Sequence, residues 1–362
     1  LINNTSQDLT PYVLTAWHCV EPETPGEHNY FTFYFNHESS TCSGSSGYYG
    51  HSETGSYLRS SGNINSSSDF ALLEMDDEKN KRGPLPKRVL WNSSLSQFPE
   101  AQFEEEMAEK KSMYDLLIDF YKYGFVIIKN VPTEDKYILK FVNSIGPVKN
   151  TNFGEYFDVM SKPNPNDLAY KPIALPPHTD NPYRKPTAPG IQFLHCLQNE
   201  VSGGFSTLVD GFAVAEHIKT HDPEAFQSLT TTNLRYQFQD KDIVLENWGE
   251  LIELDKDGDY KQVRYSTRVD YVPPLENEKL ESFYKARKLL GDLYTSSDFE
   301  IKFKLSPGDV MMFDNHRLLH GRTSYDSSEG ARHLQGCYLE FDSTDGKLRH
   351  LHEKYHLSET NL

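Results

Sequence analysis

From residue 125 onward the chain is a succession of short apolar runs closed by glycine, proline and aspartate, and these runs do not alternate regularly with helices. Phe125-Val-Ile-Ile, GIQFLHCL (190–197), FSTLVDGF (205–212), the two halves of FKLSPGDVMMFDNHRLLHGR (303–322) around its Pro-Gly turn, and HLQGCYLEFD (333–342) have the length and residue types of strands. Two helical stripes interrupt them. One runs from Phe103 to Tyr123, with Met107, Tyr114, Leu117, Ile118 and Tyr121 on one face and Gly124 as its stop. The other is PPLENEKLESFYKARKLLGDLY (273–294), with Leu280, Phe283, Leu290 and Leu293 on one face. A parallel sheet needs a crossover between successive strands, so this order predicts a mainly β fold, a sandwich or barrel with helical decoration.

The first 76 residues have a different composition. They hold one basic residue, Arg59, and the stretch from Ser39 to Ser68 is dominated by Ser, Gly, Thr, Asn and Tyr. Alternation in Tyr30-Phe-Thr-Phe-Tyr-Phe35 predicts strands there too. DDEKNKRGPLPKR is charged, carries Pro and Gly and has no period, which predicts a linker over 77–88 between a segment 1–76 and a domain 89–362. Lys and Arg number 36 against 53 Asp and Glu, a net charge of −17, which disfavours nucleic acid and anionic lipid as partners. No apolar run approaches the ~18 residues of a membrane span. Four cysteines, Cys19, Cys42, Cys196 and Cys337, are too few and too scattered for a zinc finger or a disulfide framework. The opening LINNTSQDLT has neither an initiator Met nor a signal peptide, so a fragment or a processed product is expected.

His178-Thr179-Asp180 and the distant His320 carry the chemistry. Residues i and i+2 of an extended strand share a face, so an H-x-D pair can present an imidazole and a carboxylate to one point. A third ligand from another strand would complete a two-His, one-carboxylate face with open positions, suited to non-haem Fe(II). Arg332, twelve residues after His320 and expected on a strand running back beside the ligand strand, can hold a carboxylate by two parallel hydrogen bonds. Ser206, after the Gly203-Gly204 turn, can add a hydroxyl to the same acid.

HTDNPYR, PGIQFLHCL, GGFSTLVDGF, SPGDVMMFDNHRLLHGR and RHLQGCYLEFD, in this order, resemble the Fe(II)/2-oxoglutarate dioxygenases of the γ-butyrobetaine and trimethyllysine hydroxylase group, within the wider taurine dioxygenase superfamily. The resemblance runs from Val89 to Leu351. It implies a double-stranded β-helix (jelly-roll) core, iron on His178, Asp180 and His320, and 2-oxoglutarate on Arg332 and Ser206. It also implies O₂ as the second cosubstrate, ascorbate as a supporting reductant, a small-molecule substrate, a cytoplasmic setting, and a homodimer as one possible assembly. Two positions depart from the family pattern: Phe205 replaces an acidic residue and His316 replaces Arg or Trp. The first bears on the cosubstrate pocket, and the second is read as a packing change.

Members of this group act on molecules with a quaternary ammonium at one end and an acid at the other. A trimethylammonium group has no N–H to donate, so aromatic faces must recognise it. The positions matching the family's cage are Phe153, Phe157, Tyr170 and Tyr338, all aromatic here. For the acid end, Asn181 follows the metal Asp and VRYSTRVDY supplies Arg268. A full charge with several donors suits a phosphonate, and HTDN with RYSTR resembles the bacterial branch acting on 2-(trimethylamino)ethylphosphonate. That substrate is the first expectation and γ-butyrobetaine, giving L-carnitine, is the alternative. If Arg268 instead pairs with Asp270, the phosphonate reading loses its anchor. A non-catalytic jelly-roll binding protein is the rival from another class, and the intact triad with Arg332 argues against it.

LTPYVLTAWHC (9–19) and SDFALLEMDD (68–77) resemble the His- and Asp-bearing segments of chymotrypsin-fold serine proteases of the lysyl endopeptidase kind. The resemblance implies a partial chymotrypsin-like β segment, His18 as a vestigial base, Asp69 as its orienting carboxylate, and a Cys19–Cys42 disulfide. No GDSGG-like nucleophile segment follows Asp69, so proteolysis is not expected and the segment reads as a relic.

Overall fold

The computed structural model describes residues 85–160 and 171–356 and, within the first 84 residues, the backbone of five strands. Two compact units divide at Pro84/Leu85. In the first, β1 (Tyr12–Thr15), β2 (Thr32–Tyr34), β3 (Ser52–Thr54), β4 (Ser56–Ser61) and β5 (Ala71–Met75) form an antiparallel sheet of order β1-β5-β4 and a β2-β3 pair. His18, Cys19, Cys42 and Asp69 lie outside the described residues, as does Tyr170.

The second unit is built on β6 (Glu100–Gln102), β7 (Phe125–Lys129), β8 (Phe157–Met160), β9 (Leu175–His178), β10 (Ile191–Asn199) and β11 (Ser206–Asp210). After helices Gly211–His221 and Pro223–Thr231 come β12 (Leu234–Asp240), β13 (Ile243–Gly249), β14 (Ile252–Leu254), β15 (Tyr260–Val263) and β16 (Asp270–Tyr271). Helix Asn277–Tyr294 leads to β17 (Glu300–Phe303), β18 (Val310–Asp314), β19 (Leu318–Arg322) and β20 (Arg332–Leu339). A major sheet runs β6-β7-β18-β10-β20-β8 and a minor sheet β17-β11-β19-β9, all antiparallel except the β6-β7 pair. These are the two facing sheets of a jelly roll.

Alternation along the strands explains the layers. On β7, Val126 and Ile128 face outward with Val310, Met312 and Phe193 and meet Leu117 and Phe120 of helix Lys111–Tyr123. The residues between them, Phe125, Ile127, Met311 and Phe313, turn inward and join Leu208, Ile301 and Leu318 of the minor sheet. Both faces of β7 are covered, which is why its run is continuously apolar. Gly124 ends the helix in the left-handed conformation (φ 78°), where a side chain would be strained. Helices Gly211–His221, Pro223–Thr231 and Asn277–Tyr294 close a separate core over Val209 and Leu319 on the outer side of the minor sheet.

Two expectations change in detail. FSTLVDGF is a strand only to Asp210, because the Asp210 carboxylate accepts from the Phe212 and Ala213 amides and starts a helix at Gly211. That carboxylate also pairs with Arg317 at 2.7 and 3.1 Å, both groups being essentially inaccessible to solvent. Removing one partner of such a pair strands a buried charge at a cost of ~3–5 kcal/mol. The strand bearing Arg332 does not run beside the strand bearing His320. β20 pairs with β10 and β8 in the major sheet, whereas β19 pairs with β11 and β9 in the minor one.

Candidate metal and cosubstrate site

Pairing of β9 with β19 sets His178 directly opposite His320. Their rings lie 4.4 Å apart, centre to centre. Asp180 falls just beyond the end of β9, where its backbone is fixed from both sides. Its amide donates to Asn315 Oδ1 at 2.7 Å, and Asn315 Nδ2 donates back to its carbonyl at 3.0 Å. Thr179 is held equally firmly, donating to the Tyr265 carbonyl and accepting the Tyr265 amide on its hydroxyl. One ligand atom from each of His178, Asp180 and His320 falls within 4.8 Å of the others.

The protonation of the three groups suits a divalent cation. The Pro176 carbonyl, 2.9 Å from His178 Nδ1, takes the proton there and leaves Nε2 as the lone-pair donor. Burial and the adjacent His178 push the His320 pKa down to about 3, so its imidazole is neutral. Burial works against the Asp180 carboxylate, but contact with His178 and a hydrogen bond from Tyr338 hold it well below the usual carboxylate range. Two imidazoles and an ionised carboxylate are the donor set that Fe(II) takes in such sites.

A cavity of about 500 Å³ opens in front of these residues, lined by both sheets. Arg332 enters it from the major sheet, 6% exposed, with one hydrogen bond of 3.3 Å to the Gly204 carbonyl. Its Nε and Nη1 are buried without a partner. A guanidinium costs several kcal/mol to bury, and unused donors in a cavity mark the place of an anion. Gly204 makes room for it, since a Cβ there would sit 2.7 Å from Arg332 Nε. Ser206, at the start of β11, also lines the cavity. The donors left open on Arg332 thus fit the carboxylate of 2-oxoglutarate.

Phe153, Phe157, Tyr338, Asn181 and Arg268 line the same cavity. Phe157 and Tyr338 pack at 5.3 Å on neighbouring strands of the major sheet. Asn181 is buried, its Oδ1 accepting from the Tyr183 hydroxyl and its Nδ2 without a partner. Asp270 is taken up by two hydrogen bonds from Arg287, at 2.7 and 2.9 Å. Arg268 is exposed and lines the cavity, and its charge reaches His320. The two departures from the family pattern stay out of the cavity lining. Phe205 is 38% exposed, and His316 packs on Phe341 with Nε2 2.8 Å from the Ala188 carbonyl.

Residues 85–338 match the Taurine catabolism dioxygenase TauD, TfdA family. The chain belongs to this family. It is a 2-oxoglutarate-dependent dioxygenase, with a His-Asp-His group fit to hold Fe(II). The dioxygenase is 32% identical over 257 residues to the gamma-butyrobetaine dioxygenase of Pseudomonas sp. (strain AK-1), covering 71% of this chain and 67% of that one. It is 34% identical over 277 residues to the human gamma-butyrobetaine dioxygenase, covering 75% and 70%. To the bovine mitochondrial trimethyllysine dioxygenase it is 30% identical over 287 residues, covering 75% and 66%. Among solved structures, AAD-2 in complex with Mn(II) and N-oxalylglycine superposes with a TM-score of 0.52 at 13% identity, over 70% of this chain and 97% of that one. At that identity the likeness is one of fold. Residues 1–98 are similar to the lysyl endopeptidase C-terminal domain.

Sequence reasoning missed five residues of the dioxygenase site. Phe238 on β12 stacks on Tyr183 at 5.0 Å and meets Phe153 edge-on at 5.7 Å. Tyr183 was visible in HTDNPYR, and Phe238 in the alternation Leu234, Tyr236, Phe238. Arg322, in LLHGR, is a second buried arginine beside Arg332, bonded to the Lys171 and Ile173 carbonyls. Gln192 is buried on β10 with Oε1 unpartnered in the cavity wall. Asn315 had no sequence signal beyond its place in a turn.

Proposed function

We propose that the dioxygenase hydroxylates a small trimethylammonium zwitterion, γ-butyrobetaine in the first instance. The observation that carries the reading is the placement of aromatic faces and one unpartnered amide donor around a cavity that also holds the triad and Arg332. His178, Asp180 and His320 hold Fe(II), and Arg332 with Ser206 holds the far carboxylate of 2-oxoglutarate. Iron with 2-oxoglutarate supplies O₂ activation coupled to oxidative decarboxylation, giving succinate and CO₂. The chain's own contribution is positioning. Phe157, Tyr338 and Phe153 offer ring faces to the methyl groups, assisted by Phe238 and Tyr183. Asn181 Nδ2 is a neutral donor for the acid end, and Leu194, Met311 and Leu334 keep the cavity wall dry.

A second reading, 2-(trimethylamino)ethylphosphonate, is favoured by one observation, the presence of both Arg268 and Asn181 in the cavity lining. The names of the relatives favour the carboxylate. Succinate formation by Fe(II)-loaded protein, with the two substrates side by side, decides between them. Faster coupled turnover with γ-butyrobetaine is expected. Faster turnover with the phosphonate would move the assignment to Arg268, and silence with both would sink the trimethylammonium reading.

Gly336 tests the aromatic wall separately. A Cβ at Gly336 would lie 2.4 Å from the Phe157 ring, which occupies the space the missing side chain leaves. Gly336→Ala is expected to displace that ring and lower kcat/KM for the substrate by up to about a hundredfold, because misplacements of about 1 Å cost that much in rate. The KM for 2-oxoglutarate should move by less than about twofold. Equal changes in both would show a collapsed site rather than a displaced ring.

A further inference from the structure

We infer that Tyr338 is a positioning residue for the metal ligand Asp180, in addition to offering its ring to the substrate. This rests on the metal-site reading above. The Tyr338 hydroxyl donates to Asp180 Oδ2 at 2.8 Å, while Asp180 Oδ1 lies 3.4 Å from His178 Nε2. Oδ2, which lies 3.9 Å from His320 Nε2, is therefore occupied by a fixed neutral donor, and Oδ1 faces His178. A carboxylate left alone can bind a cation through either oxygen or through both. A bidentate carboxylate would consume one of the positions that cosubstrate, O₂ and substrate need. The Tyr338 hydroxyl takes up one lone pair of Oδ2 and fixes the rotation of the carboxylate, which favours binding through Oδ1.

The geometry makes the hydroxyl hard to replace. Tyr338 is 4% exposed, and its place on β20 is set by pairing with Gln192 of β10 in the centre of the major sheet. Its ring is braced against Phe157. Asp180 belongs to the loop after β9 of the minor sheet. Tyr338 to Asp180 is thus a hydrogen bond from one sheet to a ligand carried by the other, and it fixes the carboxylate from the side that the Asn315 contacts to its backbone leave open. Outer partners of this kind orient ligands and tune metal affinity.

The test is Mn(II) binding to the full chain, read from the electron paramagnetic resonance signal of free Mn(II) without O₂ or substrate. Tyr338→Phe keeps the ring and removes the hydroxyl, and is expected to weaken Mn(II) binding by about ten- to a hundredfold, the usual range for loss of an outer partner. The melting temperature of the metal-free protein should be nearly unchanged. Unaltered Mn(II) affinity, with or without a lower melting temperature, would make the hydroxyl merely structural and overturn the inference. Failure of the unaltered protein to take up Mn(II) would overturn the metal-site reading and this inference with it. Should Tyr338→Phe not fold, the unaltered protein answers the question through the infrared difference spectrum between metal-loaded and metal-free states, in which the binding carboxylate changes. A wide separation of its two stretching bands, the mark of one-oxygen binding, supports the inference, and the narrow separation of two-oxygen binding refutes it.

Discussion

Arg332→Met is expected to weaken 2-oxoglutarate binding by about 30-fold or more and, in the same protein without cosubstrate, to raise the melting temperature. The two effects have one origin. Arg332 is 6% exposed, its Nε and Nη1 have no partner, and burial together with the charge of Arg322 pushes its pKa down to about 10 from an ordinary 12.5. That depression corresponds to about 3 kcal/mol of unfavourable folding energy, as an order of magnitude, at 1.36 kcal/mol per pKa unit. The folded value lies below the unfolded one, so the penalty is fully present at neutral pH and fades only as pH rises from about 10 upward. Methionine fills much of the same volume without the charge, and replacing buried charge by apolar volume is often neutral or stabilising. Binding goes the other way, since losing a buried charge-to-carboxylate contact costs ~2–5 kcal/mol, or about 30- to several-thousandfold in affinity. Calorimetric titration with 2-oxoglutarate and a thermal melt of the metal-free protein check both halves. A variant that melted lower and still bound cosubstrate would remove Arg332 from the site.

His178→Ala is expected to take succinate formation to background, a loss on the order of a thousandfold or more, comparable to removing a principal electrostatic element of an active site. His178 lies at the end of β9, opposite His320, and its Nδ1 proton is committed to the Pro176 carbonyl. No other histidine among the described residues belongs to the triad, so the vacated position has no substitute within the fold. The ring is only partly buried, so folding should survive and Mn(II) binding should fall in parallel with turnover. Turnover that persisted would mean a different ligand set.

The candidate ligands could be named from the sequence because ordered motifs surround them. H-x-D alone is a weak signal, and in the fold only His178 lies on β9 while Asp180 falls just past it; Arg332 and the aromatic positions followed from ordered motifs. Strand identity was legible wherever both faces are covered, as in Phe125-Val-Ile-Ile. What could not be read was pairing across distance. The separation of twelve residues between His320 and Arg332 looks like a hairpin, yet the chain crosses from one sheet to the other between them. The helix starting at Gly211 was hidden because Asp210 serves at once as last strand residue, cap and partner of Arg317. Phe238, Tyr183 and Gln192 acquire their roles from the β12–β13 hairpin and from neighbouring strands, and no local pattern distinguishes them from core.

The minor sheet carries both histidines, and the major sheet carries Arg332, Phe157 and Tyr338. The histidine pair and the aromatic faces are therefore carried on different pieces of backbone, with Arg332 on the same strand as Tyr338. Substitutions along β8, β20 and the β12–β13 hairpin can retune which small molecule is accepted while the histidine pair opposite stays as it was. A lineage built this way can change diet without relearning its chemistry, provided that the one tyrosine hydroxyl reaching across the cavity keeps its carboxylate in hand.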